Sequence, residues 1–281
     1  MYVPDHRTQR WVILSPSRSA RPTIAHKPSA YQLCPFCSGN EKETPPELYR
    51  LGLGEPNTPG WDVRVIPNKY PITDIHEVII HSPSCTDDVD TLPVPAVQNV
   101  FTAYRDRYRA HESDGQVLIF CNHGATAGAS LKHPHSQLVV IPNQINLDSL
   151  TIEPLKNIVE ESSLFITYCP DFSQWPFETW IAPKTTGKKF SDMTDAELPD
   201  CAVVVSRTLK KISSVLKDPP LSFKQANEPF VFNYYIYHGK DWFIRIIPRS
   251  IHRAGFELGT GLNVNVIDPV WASKLLKEVT I

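Results

Sequence analysis

Between Gly128 and Gln137 the chain reads Gly-Ala-Ser-Leu-Lys-His-Pro-His-Ser-Gln, and the apolar run Leu138-Val139-Val140-Ile141-Pro142 follows at once. On an extended chain, side chains two apart share a side. His133, His135 and Gln137 therefore form one row. The row offers a nucleophile or base, a neighbouring ligand and a neutral amide donor. An imidazole is largely neutral at pH 7 and attacks without prior activation. The Gly128-Ala129-Ser130 segment presents backbone N–H groups and a hydroxyl to an anion. Glycine permits close backbone approach, and the Ser130 hydroxyl donates to an oxyanion. The combination suits attack on a phosphorus atom by a histidine. Cys34 and Cys37 are a second chemical signal. Such a C-x-x-C pair supplies half of a zinc site, a redox pair or two core cysteines.

The elements that must position these residues are mostly strands. Stretches rich in β-branched and aromatic residues predict strands over 11–15, 62–66, 77–81, 117–121, 137–141, 163–168, 178–183, 230–237 and 241–247. Val94, Val97, Val100, Phe101, Tyr104 and Tyr108 fall at helical spacing and predict a helix over 94–112. A second helix is predicted over 194–216, with Thr194 as N-cap and Glu197 three residues on completing a capping box. A short helix over 269–278 ends the chain. The order of strands, helix, strands occurs twice. His76-Glu77-Val78-Ile79-Ile80 is similar to Phe177-Glu178-Thr179-Trp180-Ile181, and the stretch 118–124 to 233–239. Val139-Val140-Ile141-Pro142 is likewise similar to Arg245-Ile246-Ile247-Pro248. This predicts an α+β protein of two related halves, 1–150 and 151–281, with a boundary near 143–154 and the chemistry in the first.

The whole chain narrows the classes. Its 281 residues suffice for one large domain or two small ones. A net charge of -2 gives no electrostatic reason to expect nucleic acid. No apolar run approaches a membrane span, and the first residues lack the apolar core of a signal peptide. Six cysteines with one close pair do not make a disulfide framework, so a reducing cytoplasm is expected. The 26 prolines, many of them in the first hundred residues, predict long ordered loops between short strands.

The segment from Asn122 through Gln137 resembles the active-site segment of the galactose-1-phosphate uridylyltransferase family, the transferase branch of the histidine-triad (HIT) superfamily. The resemblance runs nearly end to end. It takes in Trp11 through Pro22, Cys34-Pro35-Phe36-Cys37, Asn68-Lys69-Tyr70-Pro71, Trp175-Pro176-Phe177-Glu178-Thr179 and Ala254-Gly255-Phe256-Glu257-Leu258. CPFC, GASLKHPHSQ and GFELGTG are closer to the plant ADP-glucose phosphorylase branch.

The resemblance implies two HIT-like halves, each an antiparallel sheet with packed helices. It implies a nucleotidyl-histidine intermediate on His135. Gln137 stands where HIT hydrolases carry a third histidine, which favours transfer over hydrolysis. Ser130, Gly128 and Asn122 would meet the phosphates, and Arg18 and Arg21 match an R-x-x-R-P element that would neutralise them. Zinc is implied as cofactor, held by Cys34, Cys37, His133 and Cys85. Cys85 follows Ser82-Pro83-Ser84 where the family usually has a histidine. Asn68 would contact the nucleoside and Phe36 the base, while Phe256 and Glu257 would contact the sugar. Arg245 and Ile247 occupy a segment that carries two histidines in some members, so a second metal is not expected. The implied partners are a nucleoside-diphosphate sugar, a sugar 1-phosphate or phosphate, and a second copy of the chain. A phosphorylase using inorganic phosphate and a non-catalytic nucleotide-binding module are the competing readings.

Overall fold

A computed structural model of the chain describes residues 1–5, 10–20, 33–145, 147, 155–217 and 230–281. Strands β1 (Tyr2–Asp5) and β2 (Arg10–Ile13) form a two-stranded antiparallel ribbon. Ten more strands share one sheet. They are β3 (Tyr49–Gly52), β4 (Trp61–Pro67), β5 (His76–Ile80), β6 (Gln116–His123), β7 (His135–Ile141), β8 (Ile158–Glu161), β9 (Phe165–Tyr168), β10 (Thr179–Pro183), β11 (Phe232–Ile236) and β12 (Ile244–Pro248). Their order is β3-β4-β5-β7-β6-β11-β12-β10-β9-β8, and every pairing is antiparallel.

The first five strands run 3-4-5-7-6 and the last five 8-9-10-12-11, the same order twice. Helix α1 (Val94–His111) joins β5 to β6, and α2 (Leu198–Leu216) joins β10 to β11 at the same place. The fold is thus α+β with two HIT-like halves. The halves do not keep separate sheets, because β6 pairs with β11 and fuses them at the centre. The boundary expected near 143–154 falls largely outside the described residues.

One core cluster spans both halves. Val97, Val100, Phe101, Tyr104 and Tyr108 of α1 share it with Cys201, Val205, Leu209 and Ile212 of α2 and with inward residues of the central strands. Leu138 and Val140 belong to that face, whereas Val139 and Ile141 pack on the other. Period-two alternation therefore sets His135 and Gln137 on the face away from the helices. All seven residues of β7 are buried, which explains an unbroken apolar run where a half-exposed strand would alternate. Cys121, Cys169 and Cys201 are buried core residues, as expected.

Three differences from the predicted elements have local causes. Helix α2 starts at Leu198, not at Thr194. The Glu197 carboxylate accepts the Thr194 N–H at 2.6 Å, which is the returning half of the expected capping box, but it also takes the Thr194 hydroxyl at 2.8 Å, so that hydroxyl caps no backbone N–H. Strands β1, β3 and β8 are four residues each and carry little periodicity to detect. A six-residue helix, α3 (Gly255–Thr260), precedes the expected terminal helix α4 (Pro269–Glu278), which Asp268 caps.

The registers also refine the internal repeat. Gln137 lies between Val78 of β5 and Phe120 of β6. Arg245 lies between Trp180 of β10 and Tyr235 of β11. Arg245 is therefore the counterpart of Gln137, and Glu178 the counterpart of His76. The sequence similarity had aligned Glu178 with Glu77 and Arg245 with Val139.

Candidate active site

His135 opens β7 and is 6% exposed. Its Nδ1 lies 2.7 Å from the His133 carbonyl, which can only accept. Nδ1 therefore carries the proton, and Nε2 holds the lone pair. Burial pushes the pKa of His135 down to about 4, so the ring is neutral at pH 7. A neutral imidazole with a committed Nδ1–H and a basic Nε2 is competent for nucleophilic attack. The edge of Phe36 packs on this ring at 5.5 Å between centroids and on His133 at 5.9 Å.

Gln137, 3% exposed, lies two residues on along the same face. Its Oε1 is 3.0 Å from His76 Nε2 and 3.4 Å from Asn68 Nδ2. Asn68 also accepts the Tyr70 N–H at 2.8 Å. Asn68 thus touches Gln137 of the row directly, a contact that its expected role toward the nucleoside did not include. The Asn68 loop is held from outside by the N-terminal segment. Arg18 Nη1 donates to the Tyr70 carbonyl at 2.6 Å, and the Ser15 hydroxyl to that of Pro71 at 3.0 Å. Burial lowers the pKa of Arg18. Arg21 lies outside the described residues.

Ahead of β7, His133 turns toward the C-x-x-C loop. Its Nδ1 is 3.4 Å from Cys34 Sγ and 3.6 Å from Cys37 Sγ. Its Nε2 donates to the Ser82 carbonyl at 2.9 Å, which leaves the Nδ1 lone pair facing the sulfurs. The three ligand atoms lie within 4.8 Å of one another and make a group that could hold a metal ion. Burial, then the Cys34 and Cys85 thiols, push Cys37 up to about 12. Cys85 thus stands beside Cys37, at the edge of the group. Two sulfurs, an imidazole with a fixed tautomer and a carbonyl behind it suit a divalent ion that favours nitrogen and sulfur.

The loop between β6 and β7 carries the expected phosphate contacts. Gly128 has φ 89°, the left-handed region that glycine enters without strain. Asn122 at the end of β6 has its Oδ1 taken by Asn233 Nδ2 at 2.7 Å. The same Asn233 nitrogen donates to the Ala127 carbonyl at 2.9 Å. A β11 residue of the second half therefore fixes the loop that leads to Ser130. The sequence comparison had paired the two strands' segments but gave no reason to single out Asn233.

Behind the row, on the helix side, lies a network that sequence reasoning missed. Ser136 Oγ is 2.7 Å from His81 Nε2, and His81 Nδ1 is 2.7 Å from Asp88 Oδ1. Asp88 Oδ2 meets His123 Nδ1 at 2.6 Å. The Tyr104 hydroxyl joins His81, Ser136 and, at 2.6 Å, Tyr234 of the second half. Burial alone would raise Asp88, but the two imidazoles hold it below the usual carboxylate range. Ser136, His81 and Asp88 have the connectivity of a nucleophilic triad, yet all three are buried on the face opposite His135. The network ties β5, β7, α1 and β11 together.

At the other end, Glu257 accepts the Ala254 N–H at 3.0 Å at the start of α3, and Phe256 is 55% exposed. Among the described residues, neither shares a hydrogen bond or ring contact with the His135 row. In the second half, Arg245 is paired with buried Glu178, Nη2 to Oε2 at 3.0 Å, and lies against the Trp180 and Tyr235 rings.

Residues 73–141, from the Asn68 loop to the end of β7, match the family model for the N-terminal domain of galactose-1-phosphate uridyl transferase. ADP-glucose phosphorylase of Arabidopsis thaliana is 30% identical over 99% of this chain and 92% of its own length. A crystal structure of an ADP-glucose phosphorylase from that plant with bound ADP-glucose superposes with a TM-score of 0.75, at 28% identity, covering 100% of this chain and 99% of that one. Galactose-1-phosphate uridylyltransferase of Thermotoga maritima is 24% identical over 98% of this chain and 96% of its own. On this full-length match, the chain belongs to the galactose-1-phosphate uridylyltransferase family, whose members are nucleotidyltransferases.

Proposed function

We propose that the chain moves a nucleoside monophosphate between a nucleoside-diphosphate hexose and a hexose 1-phosphate by double displacement on His135. The observation that carries this is the tautomer of His135. Nε2 attacks the α-phosphorus, forming an N–P bond. The bond from that phosphorus to the bridging oxygen breaks, and the hexose 1-phosphate leaves with the electron pair. The ring becomes cationic, and the His133 carbonyl accepting from Nδ1–H stabilises it. An oxygen of the acceptor phosphate then attacks phosphorus, and the ring departs neutral. Gln137 cannot act as an acid or base, but its amide can hold a phosphoryl oxygen. Ser130, Gly128 and Asn122 would line the phosphate path, with Arg18 and Arg21 nearby in the sequence pattern. Phe256 and Glu257 remain the proposed sugar contacts.

A second reading has inorganic phosphate as acceptor, which would make the enzyme an ADP-sugar phosphorylase. The 30% identity to the Arabidopsis ADP-glucose phosphorylase favours it. We further propose that the metal is zinc, held by Cys34, Cys37, His133 and Cys85. It would fix the 34–37 loop, and Phe36 with it, against the residue that precedes β7. Residues 1–150 would form the catalytic half and 151–281 the second half, in a cytoplasmic homodimer. Among the described residues no helix is long and apolar enough to cross a membrane.

The test is incubation with radiolabelled UDP-glucose and ADP-glucose, each labelled in the α-phosphate. Acid-labile label on the protein is expected, and His135→Asn should abolish it. Undiminished turnover in that variant would overturn the assignment. Discharge of the adduct by inorganic phosphate, to give the nucleoside diphosphate, would select the phosphorylase.

A further inference from the structure

We propose that the Asn68–His76 segment is a polarity relay that aims the Gln137 amide N–H groups at the phosphoryl oxygens, with His76 as the main positioning residue. This rests on the nucleotidyl-histidine reading above. A glutamine amide is ambiguous, since its oxygen and nitrogen ends have the same shape. Holding a phosphoryl anion requires the nitrogen end. Something must turn the carbonyl end away.

Two backbone groups do so. The Ile72 N–H lies 2.9 Å from His76 Nδ1. A backbone N–H can only donate, so Nδ1 is the acceptor and the neutral ring carries its proton on Nε2. That Nε2 stands 3.0 Å from Gln137 and must donate, so the atom it meets is the oxygen. The Tyr70 N–H donates to Asn68 Oδ1 at 2.8 Å, which turns Asn68 Nδ2 outward. Asn68 Nδ2 lies 3.4 Å from the same Gln137 oxygen and 3.1 Å from His76 Nε2, so the two nitrogens crowd one acceptor, with His76 the nearer donor. Two donors of backbone-fixed polarity thus converge on Oε1. Among the described residues no group bonds the Gln137 amide nitrogen, which leaves both its hydrogens for other acceptors on the His135 face. His76 and Gln137 are 5% and 3% exposed, so water offers Oε1 little competing choice.

The second half shows the opposite polarity at the same two positions. Arg245, the counterpart of Gln137, meets Glu178, the counterpart of His76. There a pure acceptor faces a pure donor. The residue at the β5 or β10 position matches whichever polarity its β7 or β12 partner presents.

The experiment compares near-isosteres. His76→Gln places an amide N–H where Nε2–H stood; His76→Glu places an acceptor there and would draw the Gln137 nitrogen away from the phosphate. The readout is the single-turnover rate of label transfer to His135 and, separately, binding of the nucleotide sugar. His76→Gln should stay within about tenfold of wild type, while His76→Glu should lose about 100-fold or more in rate, the cost of one oxyanion donor. Binding should change far less than rate. Asn68→Asp against Asn68→Ala repeats the test if His76→Glu does not fold, with Asp the slower. Equal rates for the Gln and Glu variants, or for the Asp and Ala variants, would overturn the relay. If wild type never acquires label, or His135→Asn still does, the underlying mechanism fails instead.

Discussion

On the proposed mechanism, Asn233 should matter to a reaction in the other half. Its side-chain nitrogen donates to Asn122 Oδ1 at 2.7 Å and to the Ala127 carbonyl at 2.9 Å. Asn233→Ala removes both donors and leaves two acceptors at the root of the Gly128–Ser130 loop. Each lost hydrogen bond costs about 1 kcal/mol net, so the pair is worth roughly 2 kcal/mol. Asn233 is half-buried, and water recovers part of the loss in stability. Water cannot restore the position of the loop. If the full 2 kcal/mol is felt in the transition state, the rate of His135 labelling falls about 30-fold. Asn233→Asp should be worse than Ala, because a carboxylate would face two acceptors. The assay is single-turnover labelling from an α-phosphate-labelled nucleotide sugar, with urea unfolding as a control for stability. Rates within about twofold of wild type in both folded variants would refute the claim that β11 positions the phosphate loop.

Metal analysis of unchelated protein should find about one zinc per chain, and Cys34→Ser with Cys37→Ser should lose it; zinc-free wild-type protein would count against the site. Asp88→Asn should cost about 3 kcal/mol in urea unfolding, because it strips a buried carboxylate from two imidazoles. Asp88 is depressed, so its contribution is present above about pH 4 and is lost as pH falls through its folded pKa. His123 is raised: burial opposes this, but Asp88 outweighs it, so its contribution is full below about pH 6.5 and is lost as pH rises through the folded pKa. The gap between wild type and Asp88→Asn should therefore be widest between those limits, and a gap that grows above pH 8 would contradict the pairing. With no acceptor added, the His135 adduct should release nucleoside monophosphate slowly, since Gln137 offers water no base. Rapid release, measured by chromatography of the quenched mixture, would favour a hydrolase.

The row of His133, His135 and Gln137 was legible because chemistry and spacing coincide in five consecutive residues. The C-x-x-C pair was legible for the same reason, and the structure brings it to His133 across 96 residues of sequence. Nine of the twelve described strands carry enough β-branched and aromatic residues to be predicted. What could not be read was partnership between polar residues distant in sequence. His81, Asp88, Tyr104 and Tyr234 are each unremarkable in their local pattern. Only the fold makes them one buried network, since Tyr104 and Tyr234 are 130 residues apart. Glu257 shows the reverse difficulty. Its motif suggests a ligand contact, while its nearest partner here is the backbone N–H that opens its own helix.

The two halves share a sheet order and a helix position, so a proposal that puts the chemistry in the first alone needs a physical reason. The registers supply it. Phe243 is the counterpart of His135, two residues before Arg245 as His135 is two before Gln137. It is fully buried, stacked on Trp180 at 4.0 Å and on Tyr237 at 4.9 Å. The position of the proposed nucleophile in one half therefore holds the centre of an aromatic stack in the other. The Arg245–Glu178 pair beside it is held by its own charges and lies against two rings. In the sheet, β11 lies between this block and strands β6 and β7 of the first half. Asn233 and Tyr234 project from β11 to opposite faces, Asn233 onto the phosphate loop and Tyr234 onto the Tyr104–Ser136 network. Through β11 the second half thus reaches both the loop ahead of β7 and the network behind it.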